Sequence, residues 1–367
     1  DVTDAGNVNP LVDTHLNTSS ATSGEYLSWT GSDYDWVAVS GYTDADVDTH
    51  LNTGTASSGE VLSWNGSDYD WIAAGGGTAL ELYAENPSSP TAPSATGLNA
   101  VAIGNQSIAA GTNSIALGRS RAGNTDSFAT AIANNTSSYG ATGATSVAMG
   151  GFAKSSNSNS IAIGRNSQAT GSGSVAIGGQ GGGSEPISSG SASIAIGIGT
   201  RADSSFSMAL GSRAVVGGIR GKQAWTGYAI SGNSDGASQS GKMVLARNTT
   251  DATPSALTTY SNPSTTNQVI LPNNSAYAFH GTIVARQQAS QGTACAAWKI
   301  EGLIRREGSA GTTVLVNSAT TVLDNTPAWG MALSADTTNG GLKIEVTGAA
   351  ATNIRWVATV HTSEVTY

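Results

Sequence analysis

The sequence predicts an all-β protein built from three unlike segments, and three observations support this. A 35-residue module occurs twice near the N-terminus, a 14-residue motif recurs through the middle, and the C-terminal region alternates apolar and polar residues. Long helices are not expected, because the 47 glycines and many hydroxyl and β-branched residues disfavour them. Disorder is the alternative for such a composition, but the regular spacing of the apolar residues argues against it.

The overall composition restricts the function. The 367 residues are enough for two or three domains. A net charge of −9 and a pI near 4.8 argue against non-specific nucleic-acid binding, which needs a basic surface. No apolar run approaches the roughly 20 residues of a membrane span, and we recognise no signal peptide. We therefore expect neither a nucleic acid nor a membrane as a partner.

One cysteine, Cys295, is present, so the chain cannot form an internal disulfide. A catalytic thiol is one interpretation of this residue. Its surroundings, TACAAW, consist of small residues and favour a packed position in a strand instead.

Two tandem modules occupy residues 1–40 and 41–78. Most positions of Val12–Ala38 recur in Val47–Ala73, and each copy is predicted to form a β-hairpin. In the second copy Asn65 and Gly66 lie between the strands, and Asn-Gly is a strong hairpin turn. Because a hairpin is marginal alone, we expect the tryptophans to be buried against the other module or against identical chains.

Each module also contains an Asp-Thr-His sequence, which ends at His15 and at His50. On a threefold axis, one histidine from each of three chains would supply the ligands of a metal site. The alternative is an exposed histidine at a helix turn. The acidic GSDYD segments lack the spacing of a calcium loop, and no cofactor is predicted.

The middle of the chain repeats a motif of the form SIAIG. Four pairs of successive motif glycines are 14 residues apart, a degenerate copy lies at 128–134, and a short insertion lies at 178–192. A fixed short period indicates stacked coils, and we predict about eight of them over residues 97–216, after a linker at 79–96. The motif glycines are expected to permit turns that a Cβ would forbid: Gly104, Gly118, Gly150, Gly164, Gly178, Gly197 and Gly211.

Both faces of the SIAIG strand are apolar, so both should be buried. The two larger residues share one face and alanine takes the other. We expect one face to fill a narrow roll, and the small alanine face to let another backbone approach closely. A single roll has too little interior to be stable, so the second face predicts self-association.

The 14-residue NSVAIG-type repeat resembles the head of YadA-type trimeric adhesins. The resemblance covers about 120 of the 367 residues, in seven clear copies. It implies a parallel β-roll in which three chains pack side by side, and thus a homotrimeric fibre. Segments 128–134 and 178–192 depart from the pattern, and there a coil is expected to bulge or to carry a loop.

The C-terminal region divides into a loop-rich connector, 217–265, and a regular domain, 266–367. In the segments AWKIEGLI and GLKIEVTG, apolar residues share one face and charged residues the other. This alternation predicts an antiparallel β-sandwich with one dry and one wet face. The stretch from Trp329 onward resembles C-terminal domains of phage tail and fibre proteins, and GEVLSWNGSDYDWIA resembles a module of phage fibres.

Motifs for catalysis are weak, and we predict no enzyme. Residues 232–236 match G-x-S-x-G, but a loop and a strand follow where a nucleophile elbow needs a helix. The glycine run 178–183 precedes SEPISSG, which cannot begin a phosphate-binding helix. Carboxylates placed across subunit clefts, as in glycan-cleaving tailspikes, stay an open alternative.

The leading functional hypothesis is a homotrimeric phage tail fibre that binds the host surface. The N-terminal part would contact other virion tail proteins, and the tip would contact a host glycan or protein outside the cell. A purely structural fibre or decoration protein is the main alternative, followed by a bacterial trimeric adhesin. Exposed aromatic or polar residues near the tip are the receptor-contact candidates, whereas Trp298 and Trp356 are expected in the core: Tyr277, His280, Trp329 and Arg355.

Overall fold

The computed structural model forms two compact units, Asp1–Gly77 and Thr78–Tyr367. It describes residues 16, 18–38, 41, 43–51, 53–64, 66–67, 69–73, 80–82, 91–134, 136–179, 184–228, 230 and 235–367. Among these residues, no helix has the length and apolarity that crossing a membrane requires.

In the first unit, the two modules form the same hairpin. Strands β1 (Glu25–Trp29) and β2 (Tyr34–Ala38) pair antiparallel; a short helix, α1 (Asp44–His50), precedes the equivalent pair β3 (Glu60–Trp64) and β4 (Tyr69–Ala73). The second indole of each hairpin donates to a leucine carbonyl 20 residues earlier, at 2.9 Å in both copies. Trp29 and Trp64, the first tryptophan of each hairpin, remain 56% exposed.

A β-solenoid of about nine turns occupies residues 94–226 of the second unit. Successive strands alternate between two parallel sheets. The motif strands form one sheet, and shorter strands form the other. In chain order the strands are β5 (Leu80–Leu82), β6 (Ser94–Ala95), β7 (Val101–Ile103), β8 (Ile108–Ala109), β9 (Ile115–Leu117), β10 (Arg121–Ala122), β11 (Phe128–Thr130), β12 (Gly140–Ala141), β13 (Val147–Met149), β14 (Lys154–Ser155), β15 (Ile161–Ile163), β16 (Gln168–Ala169), β17 (Val175–Ile177), β18 (Ile187–Ser188), β19 (Ile194–Ile198), β20 (Arg201–Ala202), β21 (Met208–Ser212) and β22 (Gln223–Thr226).

The alanines fill the inside of the roll, which corrects the predicted use of the two strand faces. The central alanine of every motif strand from β7 to β21 is completely buried, against alanine or serine of the facing sheet. The larger residues point outward and stay partly exposed. Small side chains fill the space between the short strands of the regular coils, whereas Ile132 is buried in the degenerate coil. The backbone that the alanines let approach therefore belongs to the same chain.

A buried serine precedes each motif strand from β9 to β21. At each of these serines except Ser114, the hydroxyl donates to the carbonyl three residues earlier, for example from Ser174 to Gly171 at 2.7 Å and from Ser193 to Gly190 at 2.7 Å. This hydrogen bond satisfies a polar side chain inside the roll and fixes the turn that leads into the strand.

The C-terminal part continues the solenoid sheet. Strand β22 pairs parallel with β21 and antiparallel with β23, so one sheet runs from the roll into five long antiparallel strands in the order β28-β27-β26-β31-β23. The remaining strands are β23 (Ser238–Thr249), β24 (Ser255–Ala256), β25 (Val269–Ile270), β26 (Ser275–Gln287), β27 (Cys295–Arg306), β28 (Val314–Asp324), β29 (Gly330–Asp336), β30 (Gly341–Thr347) and β31 (Ile354–Thr366).

Residues 217–265, predicted as a loop-rich connector, contribute the 12-residue strand β23 to this sheet. The alternation of this strand is hard to see in the sequence, because its outward positions hold Ser240, Lys242, Val244, Ala246 and Asn248, so apolar residues occur on both faces. A second, small sheet of β24, β25, β29 and β30 covers the inner face of the long strands. The core between the two sheets includes Trp298, Ile300, Ile304 and Trp356.

Candidate functional site

The motif strands present an apolar stripe along the outside of the roll. Residues at the first and third positions of each strand stack in register on the same positions of the next. Ile115, Met149 and Ile196 are 37–39% exposed. We define the apolar stripe by these members: Val101, Ile103, Ile115, Leu117, Phe128, Val147, Met149, Ile161, Ile163, Val175, Ile177, Ile194, Ile196, Met208 and Leu210.

The stripe continues toward the C-terminal part through Trp225. This residue is the register partner of Leu210, and its side chain is 60% exposed. At about 4.8 Å per turn, nine turns extend the stripe to roughly 43 Å. Large contiguous apolar patches on soluble proteins mark contact surfaces, so the stripe is a candidate self-association face.

The motif glycines make this stacking possible. All seven have a positive φ, between 67° and 129°. A Cβ on Gly164 would lie 1.9 Å from the carbonyl oxygen of Gly178, and one on Gly197 would lie 1.8 Å from that of Gly211. Successive coils therefore approach within a distance that only glycine permits.

The receptor-contact candidates of the sequence analysis divide into two groups. Tyr277 and Trp329 are 2% and 5% exposed and belong to the core, so the expectation that their rings lie on the surface is wrong. Burial of Tyr277 raises the pKa of its phenol, and the neighbouring Glu364 raises it further. Trp329 packs on Trp356 with the ring centroids 5.7 Å apart.

His280 and Arg355 lie on the outward face of the sheet formed by the five long strands β28, β27, β26, β31 and β23, which we call the long sheet. His280 stacks on His361 of the neighbouring strand, with ring centroids 5.3 Å apart and the rings nearly parallel. Lys242 pairs with His361 on its other side. Arg355 lies six residue pairs away along the same two strands and pairs with Arg286. His361 and Arg286 could not be placed beside these residues from the sequence, because strand alternation puts them on the wet face but does not say which strands are neighbours.

The candidate metal-binding and catalytic residues lie only partly within the described residues. His15 lies outside the described residues, and His50 is the last residue of α1. Within the part of the chain that the structure describes, no group of three or more His, Cys, Asp or Glu residues is arranged to hold a metal ion. Residues 232–234 and 180–183 of the two weak catalytic motifs also lie outside the described residues. Cys295 is exposed at the first position of β27, so the expected packed position is wrong.

The histidine stack gives a prediction about pH. Partial burial lowers the pKa of His361 below the usual 6.5, and the neighbouring His280 and Lys242 lower it further. The folded protein thus binds this proton less tightly than the unfolded chain, so His361 contributes stability above pH 6.5 that is lost as the pH falls through its folded pKa.

We expect an NMR titration to give a midpoint for His361 below the ordinary histidine value. Lys242→Gln should raise this midpoint, because it removes a neighbouring positive charge. Lys299→Gln, on the same outward face but opposite Thr282, is the matched control and should shift it less. An unchanged midpoint in Lys242→Gln would contradict the assigned cause.

Comparison with known proteins supports the repeat region. The YadA head domain repeat (two copies) matches residues 95–120, 141–167, 155–180 and 188–214. All four matches lie inside the solenoid, so the chain carries YadA head domain repeats there. A search of curated proteins found no matching relative.

Two solved structures are similar over part of their length. One is the tailspike protein gp49 of the Acinetobacter baumannii bacteriophage Fri1, described as a capsular polysaccharide depolymerase; it is 11% identical, with a TM-score of 0.22, over 71% of this chain and 40% of that one. The other is the tailspike protein of the Acinetobacter phage vB_ApiP_P1, 11% identical, with a TM-score of 0.19, over 70% and 42% of the two chains. The chain spans about two fifths of either structure, and TM-scores this low carry no argument about its function.

Proposed function

We propose that this protein is a homotrimeric fibre protein of a phage tail that attaches the virion to the host cell surface. The observation that carries the proposal is the apolar stripe on a roll of YadA head repeats. An outward column of isoleucine, valine, leucine and methionine is costly to leave in water, at about 25 cal/mol per Å² of apolar surface. Three rolls packed side by side would cover it.

The trimer also suits adhesion. Three copies of one weak site act together, so their combined affinity can exceed that of a single site by orders of magnitude. In this proposal the N-terminal modules contact other virion proteins, and the C-terminal sheet presents its outward face to a host glycan or protein. The resemblance of both segments to phage fibre modules supports this assignment.

The first prediction from this proposal is the mass of the native protein. Light scattering should give about 110 kDa (3 × 36.7) rather than the 36.7 kDa of one chain. Ile196→Glu should shift the mass toward the single chain, because it places a charge in the covered stripe. Its fold should survive, since Ile196 is 39% exposed in the single chain.

Ser158→Glu is the matched control, because Ser158 is exposed at a turn of the roll outside the stripe. This variant should keep the native mass. A native mass of 36.7 kDa would remove the physical basis of the proposal.

We also propose that attachment involves binding without cleavage. Labelled full-length protein should bind cells of some members of a panel of encapsulated bacteria. A purely structural fibre would bind none of them. A glycan-cleaving tailspike would release new reducing ends from their purified surface polysaccharide, and we expect no release.

A further inference from the structure

A pair of arginines stands out at one end of the long sheet. Arg286 of β26 and Arg355 of β31 are direct cross-strand partners, and both point to the outward face. Like charges directly opposite each other destabilise a sheet. Within the described residues neither guanidinium has a carboxylate within 4 Å. Among the described residues, this unfavourable pair of positive charges thus has no counter-charge.

These arginines line a cavity of about 440 Å³, which we call the arginine pocket. The pocket also includes Asn248, Gln288 and Asn353. Its size falls in the range of small-ligand sites, roughly 300–1,000 Å³. It lies where β23 and β26 end and β31 begins, so a ligand would reach it from the end of the sheet.

The wall of the arginine pocket is fixed by hydrogen bonds between two turns. The Asn353 side-chain amide donates to Gln288 Oε1 at 2.8 Å, and the Gln288 backbone N–H donates to the Asn353 carbonyl at 2.8 Å. Arg286 donates from Nη1 to the carbonyls of Gly292 and Ala294 at 3.3 Å each. The pocket is therefore already ordered before a ligand binds, which lowers the entropy cost of binding.

Two groups in the pocket stay available for a ligand. The Arg355 guanidinium and the Asn248 side-chain amide have no hydrogen-bond partner among the described residues. A guanidinium presents a planar fork of N–H donors that matches a carboxylate, and an amide both donates to and accepts from hydroxyl groups. A sugar ring that carries a carboxylate offers both of these chemistries.

We propose that the arginine pocket binds the carboxylate of an acidic saccharide, such as a uronic acid unit of a surface polysaccharide. This inference rests on the proposed function, because it names the ligand class of a host-binding tip. The net charge of −9 makes the protein as a whole repel polyanions. Binding would thus depend on this local site, and the trimer would present three copies of it.

The test measures binding of the full chain to immobilised oligosaccharides that contain glucuronate, galacturonate or sialate. The same oligosaccharides with the carboxylates reduced to alcohols, and a phosphodiester-linked glycan polymer, are the comparison probes. We expect binding to at least one acidic probe, weakened about tenfold or more by carboxyl reduction. Arg355→Gln should weaken it to a similar extent, because its guanidinium has no partner in the described protein whose loss would disturb the fold.

Arg305→Gln is the matched control. Arg305 lies on the outward face near the other end of the sheet, and its exposed ion pair with Glu307 contributes little to stability. This variant should bind like the native protein. Alkylation of Cys295, the cross-strand partner of Arg286 and the one cysteine in the sequence, with a bulky maleimide should weaken binding as well.

Three results would overturn the inference: no binding to any acidic probe, equal binding to the carboxyl-reduced or phosphodiester probes, or equal loss in Arg305→Gln. Failure of the proposed function is separable from these. If native protein and Arg355→Gln bind bacterial cells equally well, the result supports the proposed adhesion and contradicts the proposed role of the arginine pocket. If the native protein binds no cells but binds acidic probes through Arg355, the result supports the role of the arginine pocket and contradicts the proposed adhesion.

Discussion

Gly197→Ala should destabilise the solenoid strongly. Gly197 has a φ of +129°, and a Cβ would lie 1.8 Å from the carbonyl oxygen of Gly211 in the next coil. The backbone conformation costs a residue with a Cβ about 1–3 kcal/mol. Moving the next coil to relieve the overlap costs about 1–3 kcal/mol more. We therefore expect denaturant unfolding of Gly197→Ala to show a free energy of unfolding lower by the sum of these two contributions, about 2–6 kcal/mol.

Gly118→Ala is the matched control for this substitution. Gly118 occupies the same place in the repeat with a φ of +67°, but a Cβ there meets nothing within 4 Å. The following coil is the degenerate one, in which Thr130 and Ala131 stand where the pattern has a larger residue and glycine. In this variant the free energy of unfolding should fall only by the cost of the backbone conformation, about 1–3 kcal/mol. Equal losses in the two variants would show that close stacking of the coils does not matter.

The second large effect is expected at the junction of the roll and the long sheet. Lys222, at the last coil, forms an ion pair with Glu364 of β31 at 2.8 Å, and both side chains are almost completely buried. Gln239 and Thr362 also donate to the Glu364 carboxylate, each at 2.6 Å. Removal of one partner of a buried pair leaves an uncompensated charge and costs about 3–5 kcal/mol. We therefore expect Lys222→Met to lower the free energy of unfolding by that amount.

Two further variants test the reason for this loss. Lys343→Met removes an ion pair of the same 2.8 Å length whose side chains are about one third exposed, and it should cost about 0–1 kcal/mol. Glu364→Gln added to Lys222→Met should restore much of the stability, because a neutral amide replaces the unpaired carboxylate. If Lys222→Met unfolds like Lys343→Met, burial does not make the pair important.

The two predictions depend on different kinds of information. The glycines are visible in the sequence because the repeat places them at a constant interval, and a repeated turn needs the same residue each time. The ion pair joins residues 142 positions apart. Lys222 and Glu364 look like ordinary surface residues in the sequence, since charged residues are mostly exposed. Only the meeting of β22, β23 and β31 buries them together.

The candidate surface residues show the same difference between what local sequence patterns indicate and what long-range contacts decide. Alternation of residue types indicated which C-terminal residues share a face, and Lys299, Glu301 and Arg355 are on the exposed one. The sequence placed Tyr277 and Trp329 on the wet face or in loops near the tip, where exposed aromatic rings can stack on sugars. Their burial depends on the second sheet, whose strands come from distant parts of the chain.

The sequence by itself determined the all-β class, the period of the repeat, most of its extent and the glycine turns. These follow from local periodicity, which repeats along the chain and needs no knowledge of distant contacts. The tertiary structure decided that alanines fill the roll and larger residues form the outer stripe, because the space between the two sheets limits side-chain size. It also decided that Arg286 and Arg355 are neighbours, because strand order in an antiparallel sheet is set by long-range packing that local patterns do not encode.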